Sequence, residues 1–176
     1  MLVKIRNFLS GKIGPTKAPS SLVVLLIDMQ DRFFNLLEQD TRDELVAQQI
    51  RVIRTCAQQD IPLVVIEYQG FGTTIESLAC EITQVPRTLT ITKKGSDGFI
   101  GTKLHKALRR LGAKKLALMG MNASCCVRDT AESAVSRKYE ILTADDVIAD
   151  EAGGKGRKKS RQWYEANGLF LKSLII

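Results

Sequence analysis

Two unbroken runs of apolar residues constrain the fold of this chain more than any other feature. Leu22–Ile27 reads LVVLLI, and residues 62–67 read PLVVIE. Neither run alternates with polar residues, so both faces of each segment must be buried. Strands of that kind are typical of parallel sheets that carry helices on both faces. The runs therefore predict two strands that are buried on both faces.

The rest of the pattern alternates strands with helices. Further strands are predicted over Thr88–Thr92, Lys115–Met119, Tyr139–Thr143 and Leu169–Ile175. Helices are predicted over 41–59, with Thr41 and Glu44 as a capping box, over 102–111 with Gly112 as its stop, after the turn at 120–126, and over 158–166. Alternation of this kind predicts an α/β fold with right-handed crossovers and one six-stranded parallel sheet.

Length and composition limit the protein class. The 176 residues suit one domain over 21–176, preceded by a basic N-terminal extension over 1–20. Four cysteines without a CxxC pair predict reduced thiols and a cytoplasmic protein, and a single histidine disfavours a metal site. No apolar stretch is long enough to span a membrane. The net charge of +7 comes mainly from the first 17 residues and from 155–161. Charged runs of this kind are usually solvated segments, so nucleic-acid binding is not favoured.

The segment Met119–Val135, MGMNASCCVRDTAESAV, predicts a strand end, a tight turn with two cysteines and the start of a helix. Backbone N–H groups and the helix dipole at such a position favour a thiolate. Asp28 follows the first strand, and Lys93 or Lys94 follows the third. The carboxyl ends of parallel strands share one edge of the sheet, so these groups are expected to meet Cys126 there. A carboxylate, an amine and a thiol can perform nucleophilic acyl transfer without histidine.

At these residues the chain resembles the isochorismatase-like cysteine hydrolases. LLIDMQDRF is similar to the family's Asp-x-Gln-x-x-Phe segment, TITKKGSDGFIGTKL to its lysine segment, and GMNASCCVRDTA to its cysteine segment. The resemblance assigns the catalytic aspartate to Asp28. The spacing to Phe99 favours Lys93 over Lys94, and the cysteine segment selects Cys126 and pairs it with Thr130.

The resemblance implies a Rossmann-like three-layer α/β/α fold with strand order 3-2-1-4-5-6 and an Asp–Lys–Cys catalytic triad. It also implies a cis peptide between Met121 and Asn122, with an oxyanion hole at Asn122 and Cys126. Four side chains are expected to contact a small amide-type substrate: Gln30, Phe33, Phe34 and Tyr68. No cofactor is expected, and the loop YQGFGTT at 68–74 lacks the histidine and aspartate of metal-binding relatives. Family members usually form homo-oligomers, so one is expected here.

Two alternatives remain at this point. The chain could be a catalytically silent relative that binds an anionic partner through the N-terminal extension and 155–161. It could also be a redox protein that uses Cys125 and Cys126, although adjacent cysteines form a strained disulfide and lack CxxC spacing. The hydrolase interpretation is favoured over both.

Overall fold

A parallel β-sheet forms the centre of the computed structural model, which describes residues 21–151 and 157–176. Its strands are β1 (Leu22–Ile27), β2 (Leu63–Tyr68), β3 (Thr88–Lys93), β4 (Lys115–Met121), β5 (Glu140–Ala144), β6 (Ile148–Ala149) and β7 (Leu169–Leu171). The order is β3-β2-β1-β4-β5-β7, with the two-residue β6 paired to β4. The predicted α/β fold and order are confirmed, with β7 as the sixth strand. Only the short β6 was not predicted.

The two apolar runs lie in the interior of the sheet, as predicted. Residues 23–27 of β1 and 63–66 of β2 are buried, and β1 pairs with β2 on one side and with β4 on the other. Ile27 is paired with Gly120, whose φ is +129°. A Cβ atom at Gly120 would lie 2.0 Å from the Ile27 carbonyl oxygen, so only glycine allows β4 to approach β1 at this point.

Within residues 21–151 and 157–176, six helices lie between and after the strands. They are α1 (Asp31–Phe34), α2 (Gln39–Gln59), α3 (Glu76–Ile82), α4 (Leu104–Arg110), α5 (Cys126–Ser136) and α6 (Arg157–Asn167). The capping-box prediction is wrong, because α2 begins at Gln39 after Glu38 and Thr41 already lies inside its first turn. The short helices α1 and α3 were not predicted.

Strand ends place the predicted functional residues at one edge of the sheet. Asp28 follows β1, Lys93 ends β3, and the turn after β4 leads into Cys126 at the start of α5. Residues 1–20 and 152–156 lie outside the described residues, so the predictions for the N-terminal extension and for the start of the 155–161 segment stay predictions. In the described part of the chain, no helix has the apolar length needed to cross a membrane.

Candidate active site

A buried ion pair joins β1 and β3 at this edge. The Lys93 ammonium lies 2.7 Å from Oδ2 of Asp28, and both side chains are almost fully buried, at 0% and 1% exposure. The Lys93 ammonium donates to the carbonyls of Gly95 (3.0 Å) and Ser96 (3.3 Å), so two backbone acceptors hold it beside the carboxylate. Neighbouring residues of a strand point to opposite faces, and Lys94 is exposed. Of the two lysines, only Lys93 reaches Asp28.

Asp28 has an unusual backbone conformation. Its φ is +52°, a left-handed value that few residues other than glycine adopt. Its N–H donates to the Ile66 carbonyl at 2.9 Å, which continues the β1–β2 pairing past the end of the strand. Residues held in such conformations cluster at functional sites. Nothing in the sequence indicated this conformation.

Cys126 is the first residue of α5, and only 7% of its surface is exposed. Its thiol lies close enough to the Asp28 carboxylate for each group to shift the pKa of the other. Burial raises the pKa of the Cys126 thiol to about 12; the Asp28 charge adds to the rise and Lys93 opposes it. Burial and the Asp28 charge therefore oppose the thiolate that the helix start was expected to favour, and Lys93 offsets them only in part. Burial also raises the pKa of Asp28, against the opposing effect of Lys93.

The turn between β4 and α5 has the predicted cis peptide bond between Met121 and Asn122. The Asn122 carbonyl accepts hydrogen bonds from the N–H groups of Cys125 (3.0 Å) and Val127 (3.1 Å). The N–H of Cys126 lies in the first turn of α5, where no preceding helical carbonyl is available to it. An N–H group at this position of a helix is available to an acceptor outside the helix.

Three side chains hold this turn and the start of α5 in place. Asp150 accepts hydrogen bonds from the N–H and the hydroxyl of Ser124, both at 2.8 Å. Tyr164 donates to the Ala123 carbonyl at 2.9 Å. Thr130 donates to the Cys126 carbonyl (2.7 Å) and accepts from the N–H of Gly98 (2.9 Å).

Sequence reasoning identified only Thr130 of these three. Asp150 directly follows a short apolar segment at the edge of the sheet where the site lies. That position is the sequence feature from which its role could have been predicted. Tyr164 has no such signal, because its contact joins α6 to a turn 41 residues earlier.

The four predicted substrate contacts have different surroundings. Phe33 and Tyr68 form an aromatic cluster with Phe71, in which each pair of ring centroids is 5.3–6.2 Å apart. The Lys93 ammonium lies 4.6 Å from the centroid of the Tyr68 ring, so the aromatic cluster borders the ion pair.

Gln30 and Phe34 lie outside this aromatic cluster and make other contacts. The Gln30 amide donates to the carbonyls of Tyr68 (3.0 Å) and Gly72 (2.7 Å) and accepts from the Tyr68 N–H (2.8 Å). The Gln30 side chain is buried, and these bonds hold the 68–72 loop in position. They leave the amide little hydrogen-bonding capacity for a substrate. The Phe34 ring faces the Arg42 guanidinium, 5.9 Å from its centroid, and is not one of the rings of the aromatic cluster.

Side chains that could ligate a metal do not converge in the part of the chain that the structure describes. Across residues 21–151 and 157–176, no group of three or more histidine, cysteine, aspartate and glutamate residues is arranged to hold a metal ion. All four cysteines are free thiols, with Cys126 and Cys56 buried and Cys125 and Cys80 exposed. The titratable groups that meet at this edge are the Asp28 carboxylate, the Lys93 ammonium and the Cys126 thiol.

Comparison with known proteins gives one family. The family model of the isochorismatase domain matches residues 22–159. A secreted isochorismatase effector of Verticillium dahliae is 30% identical over 79 residues, covering 45% of this chain and 42% of that protein. Isochorismatase domain-containing protein 2 of Danio rerio is 26% identical over 133 residues, covering 74% of this chain and 64% of that protein. The chain thus spans less than two thirds of the length of either relative.

Solved structures share the fold at low sequence identity. A nicotinamidase from Staphylococcus aureus superposes with a TM-score of 0.75 at 17% identity, covering 87% of this chain and 99% of that one. An N-carbamoylsarcosine amidase from Thermoplasma acidophilum superposes with a TM-score of 0.73 at 22% identity, covering 88% of this chain and 98% of that one. A ribonuclease from Caenorhabditis elegans superposes with a TM-score of 0.77 at 20% identity, covering 88% of this chain and 78% of that one. From the match of the domain model over most of its length, this chain belongs to the isochorismatase family.

Proposed function

We propose that this protein is a cysteine-dependent hydrolase that cleaves a C–N bond of a small amide-type compound through a thioester intermediate. The observation that carries the proposal is the buried Asp28–Lys93 ion pair beside the Cys126 thiol at the start of α5. Removing a carboxylate and an ammonium from water costs free energy. Buried titratable groups of this kind cluster at functional sites. Two of the solved structures with this fold are described as a nicotinamidase and an N-carbamoylsarcosine amidase, which act on bonds of this class.

In the first step, Asp28 takes the proton of the Cys126 thiol as the sulfur bonds to the amide carbon. Because the pKa of the free thiol is raised to about 12, proton removal and attack are coupled when substrate is bound. The carbonyl oxygen becomes an oxyanion, which the backbone N–H groups of Asn122 and Cys126 stabilise. A donor of this kind contributes about 2.7–4 kcal/mol in other enzymes. Lys93 holds the Asp28 carboxylate in place and offsets its charge during the transfer.

In the second step, protonated Asp28 gives its proton to the leaving nitrogen as the C–N bond breaks, which leaves a thioester on Cys126. Asp28, again a carboxylate, then takes a proton from water as the water oxygen attacks the thioester carbon. The C–S bond breaks, the sulfur regains a proton, and a carboxylic acid leaves. Phe33, Tyr68 and Phe71 border the ion pair and are the side chains proposed to contact the substrate.

The test is ammonia or amine release from a panel of small amides, ureides and N-carbamoyl compounds. Wild-type protein should hydrolyse at least one, and Cys126→Ala should lose that activity. Cys125→Ala is the matched control, because this adjacent thiol is exposed and should be dispensable. Trapping with substrate followed by mass spectrometry should add the acyl mass to Cys126. Activity that survives in Cys126→Ala would contradict the proposal.

A further inference from the structure

The edge strand β3 has no neighbour on its outer side in the described part of the chain, and its sequence suits a second copy of itself. The sheet begins with β3, whose Leu89, Thr90 and Thr92 are exposed. Leu89 has 42% of its surface in water. The opposite edge is β7, which has only three residues, and shortness is a common protection of an edge strand. β3 has six residues and no exposed charge within the strand, since Lys93 is buried.

The backbone hydrogen bonds of β3 define which groups face outward. The Arg87 carbonyl accepts from Leu63 at 3.0 Å, and the Lys93 carbonyl accepts from Gln69 at 2.9 Å, so odd-numbered residues direct their backbone groups toward β2. These directions alternate along a strand. The N–H and C=O groups of Thr88, Thr90 and Thr92 therefore point away from the sheet.

The strand reads TLTIT, the same order of residue classes in both directions. If two copies meet antiparallel about a two-fold axis at Thr90, Thr90 pairs with Thr90, and Thr88 pairs with Thr92 of the other copy. These are the residues whose backbone groups face outward, so each pair can exchange two hydrogen bonds. On the other face of the pleat, Leu89 of one copy lies opposite Ile91 of the other.

Charge does not oppose this arrangement. In the same register Arg87 would lie opposite Lys93, but the Lys93 ammonium is directed to Asp28 within its own chain, and Arg87 pairs with Asp60 at 3.1 Å. Cross-strand threonine pairs and apolar pairs are both favourable in antiparallel sheets. We infer that two copies of this chain associate through antiparallel pairing of β3, centred on Thr90, which joins the two sheets into one.

The experiment measures the mass of the full-length protein by sedimentation equilibrium over a range of concentrations. Wild-type protein should be a dimer. Thr90→Lys places two like charges directly opposite each other at the axis, so the dissociation constant should rise about tenfold or more. Thr90→Glu should weaken the dimer in the same way, and Thr90→Val is the matched control that should remain dimeric.

Mixing Thr90→Lys with Thr90→Glu gives a sharper test, because only the mixed pair brings opposite charges together. The mixture should restore a dimer that contains one copy of each variant, identified by native mass spectrometry. Thermal melting checks that both variants remain folded, as expected at an exposed position. A monomeric wild-type protein, an undiminished Thr90→Lys oligomer, or a mixture that stays monomeric would each overturn the inference.

Discussion

Lys93 and Lys94 are adjacent and chemically identical, yet their environments are opposite. One is buried against Asp28 and the other is exposed. Spacing to Phe99 favoured Lys93 on the basis of the family resemblance alone, since local sequence chemistry does not distinguish two lysines. The physical distinction comes from the alternation of a strand, which directs one side chain into the site and the next away from it.

Replacing each lysine by methionine separates their roles. Lys93→Met leaves the Asp28 carboxylate buried without its partner, so we expect a loss of about 3–5 kcal/mol in the free energy of unfolding at pH 7. Lys94→Met should change it by less than about 0.5 kcal/mol. Loss of Lys93 raises the folded-state pKa of Asp28 further, so the deficit should shrink as the pH falls toward 4. Urea unfolding at pH 4.5 and 7 measures this, and equal effects of the two substitutions would contradict the ion-pair assignment.

Thr130 connects the cysteine helix to the loop that follows Lys93. Thr130→Val keeps the shape but removes its bonds to Gly98 and Cys126, so a buried N–H loses its acceptor at a cost of about 1–3 kcal/mol. Thr130→Ser retains the hydroxyl and should recover most of that loss. Chemical denaturation compares the two variants with wild type. Similar stability of the valine and serine variants would show that the hydroxyl is not needed.

At the level of elements, the long strands were predictable and two of the short helices were not. The runs at 22–27 and 62–67 are apolar because both faces of each strand are covered, and that cause is visible in the sequence. The helix α1 spans only four residues, too few for helical periodicity to emerge; α3 and α4 both span seven, and only α4, which is followed by Gly112, was predicted. The raised thiol pKa also escaped prediction, because it depends on burial by distant parts of the chain.

Gly120 sets the spacing between β4 and β1, and its replacement tests that contact. Gly120→Ala places a methyl group 2.0 Å from the Ile27 carbonyl oxygen, a backbone atom that cannot move without separating the two strands. We expect little or no folded protein in the soluble fraction. Gly95→Ala is the matched control, because nothing lies within 4 Å of its added Cβ, and it should fold like wild type. Circular dichroism and soluble yield provide the measurement, and a well-folded Gly120→Ala would contradict the close approach of β4 to β1.

At the scale of the whole molecule, a second buried thiol makes the stability of the fold depend on alkaline pH. Cys56 lies on the inward face of α2 with no exposed surface, and burial raises its pKa to about 12 from 9.0. Above pH 9 the unfolded chain loses this proton while the folded chain keeps it, so ionisation favours unfolding. The stability contribution is complete below pH 9 and is lost as the pH rises toward 12.

Cys56→Ala should therefore flatten the alkaline dependence. Above pH 9, the loss of stability of wild-type protein relative to the variant should steepen toward about 1.4 kcal/mol per pH unit, the slope that a single retained proton gives once the thiol of the unfolded chain is fully ionised. The other ionisable groups are the same in both proteins and cancel in the comparison. Urea unfolding with a reductant present measures the two slopes. Cys80→Ala, which removes an exposed thiol, should keep the wild-type slope; parallel slopes for wild type and Cys56→Ala would mean that the Cys56 thiol ionises equally in the folded and unfolded chains.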